Sequence, residues 1–320
     1  MFYTLLFLLG AFANPFEIEI ETKKEPLQED YEALERALKE ISVAPLILQN
    51  YPMNWDIGNW FTKREPYSVQ DFILRCSKGL MQHFFVDEYN CYPKIVHQKG
   101  EQKRDCIVFF CSYDGPYPHI LPELVGALRE VGFDGGIYYR IGGYPNPTGD
   151  ELRYAGVPYA FKVFAIQEAL MMGYENVLWL DTSAWPLAGV EDIFQEIATE
   201  GFYFDSGKSN PLGLLPLAKK ELDAYLGRSI ASERKVAGWI MGISNQDPRT
   251  KKILEDYKSL VRLGIPFLSV NPEEYVLTAV LLKNGVDLKE RKNLMVSCKK
   301  DYKGYVDAKK MGCKFIIRAH

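Results

Sequence analysis

From residue 105 onward the chain alternates between two hydrophobic rhythms. "CIVFFCS", residues 106–112, is an unbroken apolar run, the pattern of a strand buried on both faces. Leu121, Leu124, Val125 and Leu128 then recur at helical spacing. "GIYYRI" reads as the next strand, and the turn-rich "GGYPNPTGDE" as a loop. In "FKVFAIQEALMMGY" the residues Phe161, Phe164, Ala165, Ala169 and Met172 share one helical face, and Gly173 suits the helix end. "VLWLD" follows as a short strand that closes on Asp181. Strand and helix in alternation predict an α/β layer, a mainly parallel sheet flanked by helices.

After Leu187 the rhythm loosens but continues. "VEDIFQEIAT" predicts a helix and "GFYF" a short strand ending at Asp205. "LAKKELDAYLG" predicts a helix ended by Gly227, and "GWIMGIS" a strand. "DPRTKKILEDYKSLVRLG" predicts a helix with Pro248 in its first turn. "EEYVLTAVLLKNG" predicts another helix, and "KFIIRAH" a terminal strand.

The first hundred residues carry a different pattern. "FEIEIE" alternates and reads as extended. Tyr31, Leu34, Leu38 and Ile41 fall on one face of a helix with Asp30 as N-cap, and Ser68 begins a second helix in "SVQDFILRCSKGLMQHFF". "HQKGEQKRD" is polar and charged, a linker ending near Asp105. These boundaries divide the chain into residues 1–13, a mostly helical extension over 14–104, and an α/β domain over 105–320.

Residues 2–12 are mostly apolar, too short a run for a bilayer, which needs about twenty residues. Ala11, Phe12 and Ala13 have the small-x-small form of a signal-peptidase site, but no Lys or Arg precedes the run. Two readings stay open: a cleaved signal peptide, or an apolar strand or helix packed on the domain. Secretory and cytoplasmic locations stay open with them.

The composition narrows the function classes. The chain of 320 residues is 47% hydrophobic, enough for a sizeable core, and its formal net charge of −4 offers no global field for nucleic acid. Small basic groups such as Lys299, Lys300 and Lys303 read as solvated surface. The six cysteines form no CxxC pair, which argues against a zinc knuckle. No GxxxxGK[ST], strand-linked GxGxxG, HExxH or GxSxG occurs.

In open α/β sheets, ligands sit beyond the carboxyl ends of the strands. Asp114, Asp181 and Asp205 each follow an apolar strand pattern. A strand-end carboxylate can simply cap a turn. Several at one edge are costly unless a cation, a donor or a ligand hydroxyl meets them.

The segment "YAFKVFAIQEALMMGYENVLWLDTSAW" resembles the core of the nucleotide-sugar glycosyltransferases of the GT-A fold. There a helix bearing Lys or Arg leads through "GY..VLWLD" into the metal-binding DxD signature. "AGWIMGISNQDPRTKKILEDY" and "NPEEYVLTAVL" resemble later parts of the same pattern, the second its "DQ" or "DE" helix start. The resemblance spans residues 105–285. It implies a GT-A-like fold and a hexosyltransferase that moves a hexose from a nucleoside diphosphate sugar to an acceptor hydroxyl on a glycan, lipid or protein. Neither nucleic acid nor a membrane span is expected, given the net charge and the short apolar run.

The resemblance also implies roles. Asp181 matches the first Asp of DxD, which meets ribose and sugar hydroxyls or a metal-bound water. Ser183 stands where the last Asp binds a divalent cation, Mn or Mg, and a serine hydroxyl is a weak, neutral ligand. The metal site is then completed elsewhere, or the enzyme works without metal through cations such as Lys162. Tyr113 and Asp114 fall where the family meets base and ribose. Lys162 falls where a cation approaches the donor, the alternative being a solvated helix charge. Glu273 and Glu274 fall near the family's acidic residue by sugar and acceptor, a catalytic position, although the helix dipole favours them there in any case. Trp185 is a candidate sugar platform, and Trp179 reads as core. His320 matches a late histidine ligand of some metal-dependent members, at a terminus where chains fray. A rival reading is a catalytically silent or exported binding protein on the same fold.

Overall fold

The computed structural model describes residues 16–19, 94–98, 104–111, 117–141, 145–154, 157, 159–208, 214, 216–269, 271–298 and 302–318. The candidate signal, the two helices expected after Asp30 and Ser68, and Tyr113, Asp114 and His320 lie outside the described residues.

Three buried strands form the middle of the molecule: β3 (Asp105–Cys111), β4 (Gly136–Ile141) and β5 (Asn176–Leu180). They are the three runs that the apolar pattern predicts as neighbours. β3 pairs in parallel with both of the others. Parallel pairing needs long crossovers, and helices supply them: α1 (Tyr117–Glu130) and α2 (Phe161–Met171).

Among the described residues the sheet has seven strands, in the order β1-β2-β4-β3-β5-β8-β7. Its flanks are antiparallel, so parallel pairing is confined to the central three strands and the sheet is mixed. β1 (Phe16–Glu19) and β2 (Lys94–Gln98) add to the β4 side. β8 (Arg234–Ser244) and β7 (Phe202–Lys208) add to the β5 side. β2 lies partly in the stretch expected to be a linker. β7 runs past Asp205, which is therefore an in-strand residue and not a strand end.

Alternation along β5 divides the core. Val177 and Trp179 join one hydrophobic cluster, and Leu178 and Leu180 the other. On the first face lie α2, α4 (Pro216–Leu226), α5 (Thr250–Leu263) and α6 (Pro272–Lys283). On the second lie α1 and α3 (Glu191–Glu200). α2 is buried well beyond a single stripe: Lys162, Val163, Ile166, Glu168 and Leu170 are covered along with Phe164, Ala165 and Ala169 of the predicted face, while Phe161 and Met172 at its ends are half-buried. It is packed between the sheet and α5, where Phe164 meets Tyr257 edge-on. α5 begins at Thr250, so Pro248 lies in the turn before it.

A second sheet of three strands, β6 (Ala184–Pro186), β10 (Phe315–Arg318) and β9 (Met295–Cys298), joins the second face, with α7 (Tyr302–Lys310) beside it. Cys106 and Cys313 are buried free thiols, and burial pushes Cys106 well above the usual thiol range. Among the described residues, no helix is long and apolar enough to cross a membrane.

Candidate functional site

Asp181 is the first residue past β5, at the carboxyl end of the parallel strands. β3 runs in the same direction beside β5, so Cys111 leads toward the same edge. The Asp181 N–H donates to Trp239 O at 2.9 Å, and Ala184 N–H donates back to Asp181 O at 2.8 Å. The Asp-Thr-Ser segment is thus a tight turn between β5 and β6. Trp179 lies two residues earlier on the same side of the strand. Its indole N–H donates to Asp181 Oδ1 at 2.9 Å.

Three elements meet Asp181. Lys162 comes from the first turn of α2. Its Nζ lies 2.9 Å from Asp181 Oδ1 and 2.9 Å from Glu273 Oε1, and donates to Gly238 O at 2.9 Å. Its side chain is 7% exposed, those of Glu273 and Asp181 6% and 32%. An ammonium has three N–H donors, and three oxygens here receive them. The rings of Tyr159 and Trp179 flank it at 5.5 and 5.7 Å, a cation–π setting. Burial alone would lower the Lys162 pKa. The charges of Asp181 and Glu273 outweigh burial and hold it above the ordinary lysine range.

Glu273 and Glu274 come from the first turn of α6, after Pro272 at its start. Glu274 Oε1 accepts from Gly238 N at 2.8 Å, and its carboxylate also pairs with Lys235. One turn on, Thr278 Oγ1 accepts from Val236 N at 2.9 Å. The helix start therefore grips β8 through two side chains, Glu274 and Thr278.

β8 is shaped for this grip. Phe204 pairs with Met241, and the next registered pair is Ser206 with Val236, so residues 237–240 oppose Asp205 alone. Such a bulge removes backbone groups from the ladder. Gly238 uses its freed N–H for Glu274 and its carbonyl for Lys162. A Cβ at Gly238 would stand 2.5 Å from Glu273 Oε1.

Of the residues singled out by sequence, the structure brings together Asp181, Lys162, Glu273 and Glu274. Lys162 is a buried clasp and not a solvated helix charge. Ser183 is half-buried in the Asp181 turn. Trp185 is half-buried in β6, opposite Ile316, and packs against the second face and the small sheet. Asp205 belongs elsewhere. Its Oδ1 accepts from Arg291 N at 3.1 Å, and burial raises its pKa.

Gly238 was not among the expected site residues, yet a glycine inside a strand pattern marks a bulge or a close backbone approach. Lys162 also carried a signal. A cation in the first turn of a helix opposes the helix dipole, and no acidic residue of that turn compensates it.

Asp181 and Ser183 do not fit a divalent ion well. Oδ1 of Asp181 already takes an ammonium and an indole N–H, and Ser183 offers a neutral hydroxyl. Among the described residues, no group of three His, Cys, Asp or Glu is set to hold a metal.

No protein-family model and no curated protein matches the chain. Solved structures do match. One is a glycosyltransferase involved in the glycosylation of the major capsid of PBCV-1, at 15% identity and a TM-score of 0.39, covering 67% of this chain and 93% of that one. Another is mouse xyloside xylosyltransferase 1 in its apo form, at 9% identity and a TM-score of 0.39, covering 67% of this chain and 96% of that one.

Proposed function

We propose that the chain is a GT-A-like glycosyltransferase, moving a hexose from a nucleoside diphosphate sugar to an acceptor hydroxyl. The observation that carries the proposal is the convergence of Asp181, Lys162 and Glu273 at the carboxyl edge of the parallel strands. The "VLWLDTSAW" and "NPEEYVL" motifs, far apart in sequence, supply two of those residues and support the same reading.

In this reading each residue has a distinct task. Asp181 is the most exposed of the three, and its carboxylate accepts hydrogen bonds from donor hydroxyls. Lys162 fixes that carboxylate. Its N–H groups are spent on Asp181, Glu273 and Gly238, so the diphosphate draws its cations from other residues. Glu273 is nearly buried and paired, and Glu274 is tied to Gly238 and Lys235, so both position the site wall instead of touching the reacting atoms. Tyr113 and Asp114, beyond the end of β3, are assigned to the base and ribose. In transfer, the acceptor oxygen forms a bond to the anomeric carbon as the bond to the nucleoside diphosphate breaks. The acceptor proton leaves to a carboxylate or to solvent.

Ser183, a hydroxyl in place of a carboxylate, favours a second reading, a domain that binds sugar nucleotides without turning them over. One screen separates the two. Nucleoside diphosphate hexoses are offered with EDTA and with manganese, and both binding and donor hydrolysis or transfer are followed. Turnover supports the transferase, and binding without turnover supports the second reading. Stable protein that binds no donor in any arm contradicts both.

A further inference from the structure

We propose that the Lys162 ammonium is the resident cation of this site. It fills the place between Asp181 and Glu273 that a divalent ion would need, so Asp181 works without one. This stands on the geometry of the lysine and not on the transferase reading.

The ammonium sits in a cage made only of oxygens: a carboxylate from the β5 turn, a carboxylate from the start of α6, and a carbonyl from the β8 bulge, each at 2.9 Å. Two carboxylates and a backbone carbonyl are also the ligand types of a hard cation. The cage is built around lysine in particular. The bulge turns Gly238 O toward it, and the missing Cβ of Gly238 leaves room for the Glu273 carboxylate. Trp179 donates to the same Asp181 oxygen and gives it a second positive neighbour.

A divalent ion bound through that oxygen would face a fixed ammonium at hydrogen-bonding distance. Lys162 has all three of its N–H donors engaged by the oxygens of the cage. It cannot yield by swinging away, because its side chain is packed among Tyr159, Trp179 and the start of α6. The neutral Ser183 fits this arrangement. With one unit of positive charge supplied from within, a second carboxylate at that position would have no cation to share.

The test is a manganese titration of the full chain with no sugar nucleotide present, read by water-proton relaxation and by calorimetry. Failure of the transferase reading therefore does not touch it. Wild-type protein should show no saturable site that depends on Asp181 tighter than about 1 mM, the weak end of protein calcium sites. Lys162→Met empties the cage. It should gain a manganese site at least about tenfold tighter, with the carboxylate and carbonyl ligands of a hard-cation site, and adding Asp181→Asn should remove it. Manganese binding by wild type that survives Asp181→Asn belongs to other residues and agrees with the proposal. Micromolar binding by wild type that Asp181→Asn abolishes overturns it, as does a folded Lys162→Met protein that gains no site. If Lys162→Met does not fold, the comparison of wild type with Asp181→Asn decides alone.

Discussion

Asp181 and Asp205 carry the same local signature, a carboxylate following a run of apolar and aromatic residues, and they end in different chemistry. Asp205 lies within β7, opposite the β8 bulge, and accepts the backbone N–H of Arg291. The Arg291 side chain is itself bound bidentately to Glu196, at 2.7 and 2.6 Å, and stacks over Tyr203 at 4.2 Å. That clasp ties the segment after α6 to β7 and α3, and each charge in it meets a protein partner. Asp181 instead stands past the end of its strand. It is held on one oxygen by Lys162 and Trp179, with a third of its side chain exposed. One aspartate completes a structural joint and the other is presented at an edge. What separates them is where the strand stops and which cation arrives: a guanidinium from a connecting segment, or a buried ammonium from a helix start.

The comparison is broken most strongly at Lys162. Lys162→Met leaves the buried Glu273 carboxylate without its cation, and stability should fall by about 3–5 kcal/mol, the scale for unpairing a buried ion pair. Denaturant unfolding measures this. A loss under about 1 kcal/mol, the level of a solvated pair, would show that the clasp is solvated. The lysine's raised pKa gives the sign with pH. Its contribution is fully present below the unfolded lysine value and is lost only as alkaline pH passes through the folded value.

Arg291→Met tests the other joint. Removing charged hydrogen bonds to Glu196 and the Phe204 carbonyl should cost about 1.5–3 kcal/mol. Donor affinity should not change, since the joint is structural. A loss of donor binding larger than the loss of stability would erase the distinction between the two aspartates.

Gly238→Ala sharpens the same contrast within one strand. The added methyl would meet the Glu273 carboxylate, and forcing it aside should cost about 1–3 kcal/mol, the usual penalty of overpacking. Donor affinity should fall with it, because Lys162 and Glu274 both hold this residue's backbone. Thermal unfolding and donor titration on one sample check both effects.

The central strands were legible because burial on both faces leaves unbroken apolar runs, as in "CIVFFCS" and "VLWL". Helix ends were legible where glycine takes positive φ, as at Gly173, Gly227 and Gly285. The start of β8 at Arg234 and Lys235 was not, since charged residues mask a strand that continues beyond its buried half. β9 and α7 lie in a polar stretch with no strong period. Asp181, Glu273 and Glu274 were visible through their motifs. The clasp itself was not: Lys162 was expected near the donor, but nothing in the sequence ties it to Glu273 and Gly238, which come from distant segments.

The smallest effect is expected at Glu151, which latches residues 148–151 to α5 through Thr148 and Lys258. Burial pushes its pKa up, but the Lys258 and Thr148 hydrogen bonds outweigh burial and set it below the usual carboxylate value. The contribution is therefore present above the unfolded value and lost as pH falls through the lower folded one. The stability gap between wild type and Glu151→Gln should be constant near neutral pH and close in acid. A gap that widened in acid would reverse the assignment.

The most direct test is calorimetric titration of nucleoside diphosphate hexoses into wild type, Asp181→Asn and Arg291→Met side by side, with turnover measured on the same samples. Wild type and Arg291→Met should bind one donor alike. Asp181→Asn should stay folded yet lose turnover by about a hundredfold or more, the scale of removing one well-placed electrostatic group, with weakened binding. Equal binding and turnover by Asp181→Asn would contradict a donor site at the end of β5.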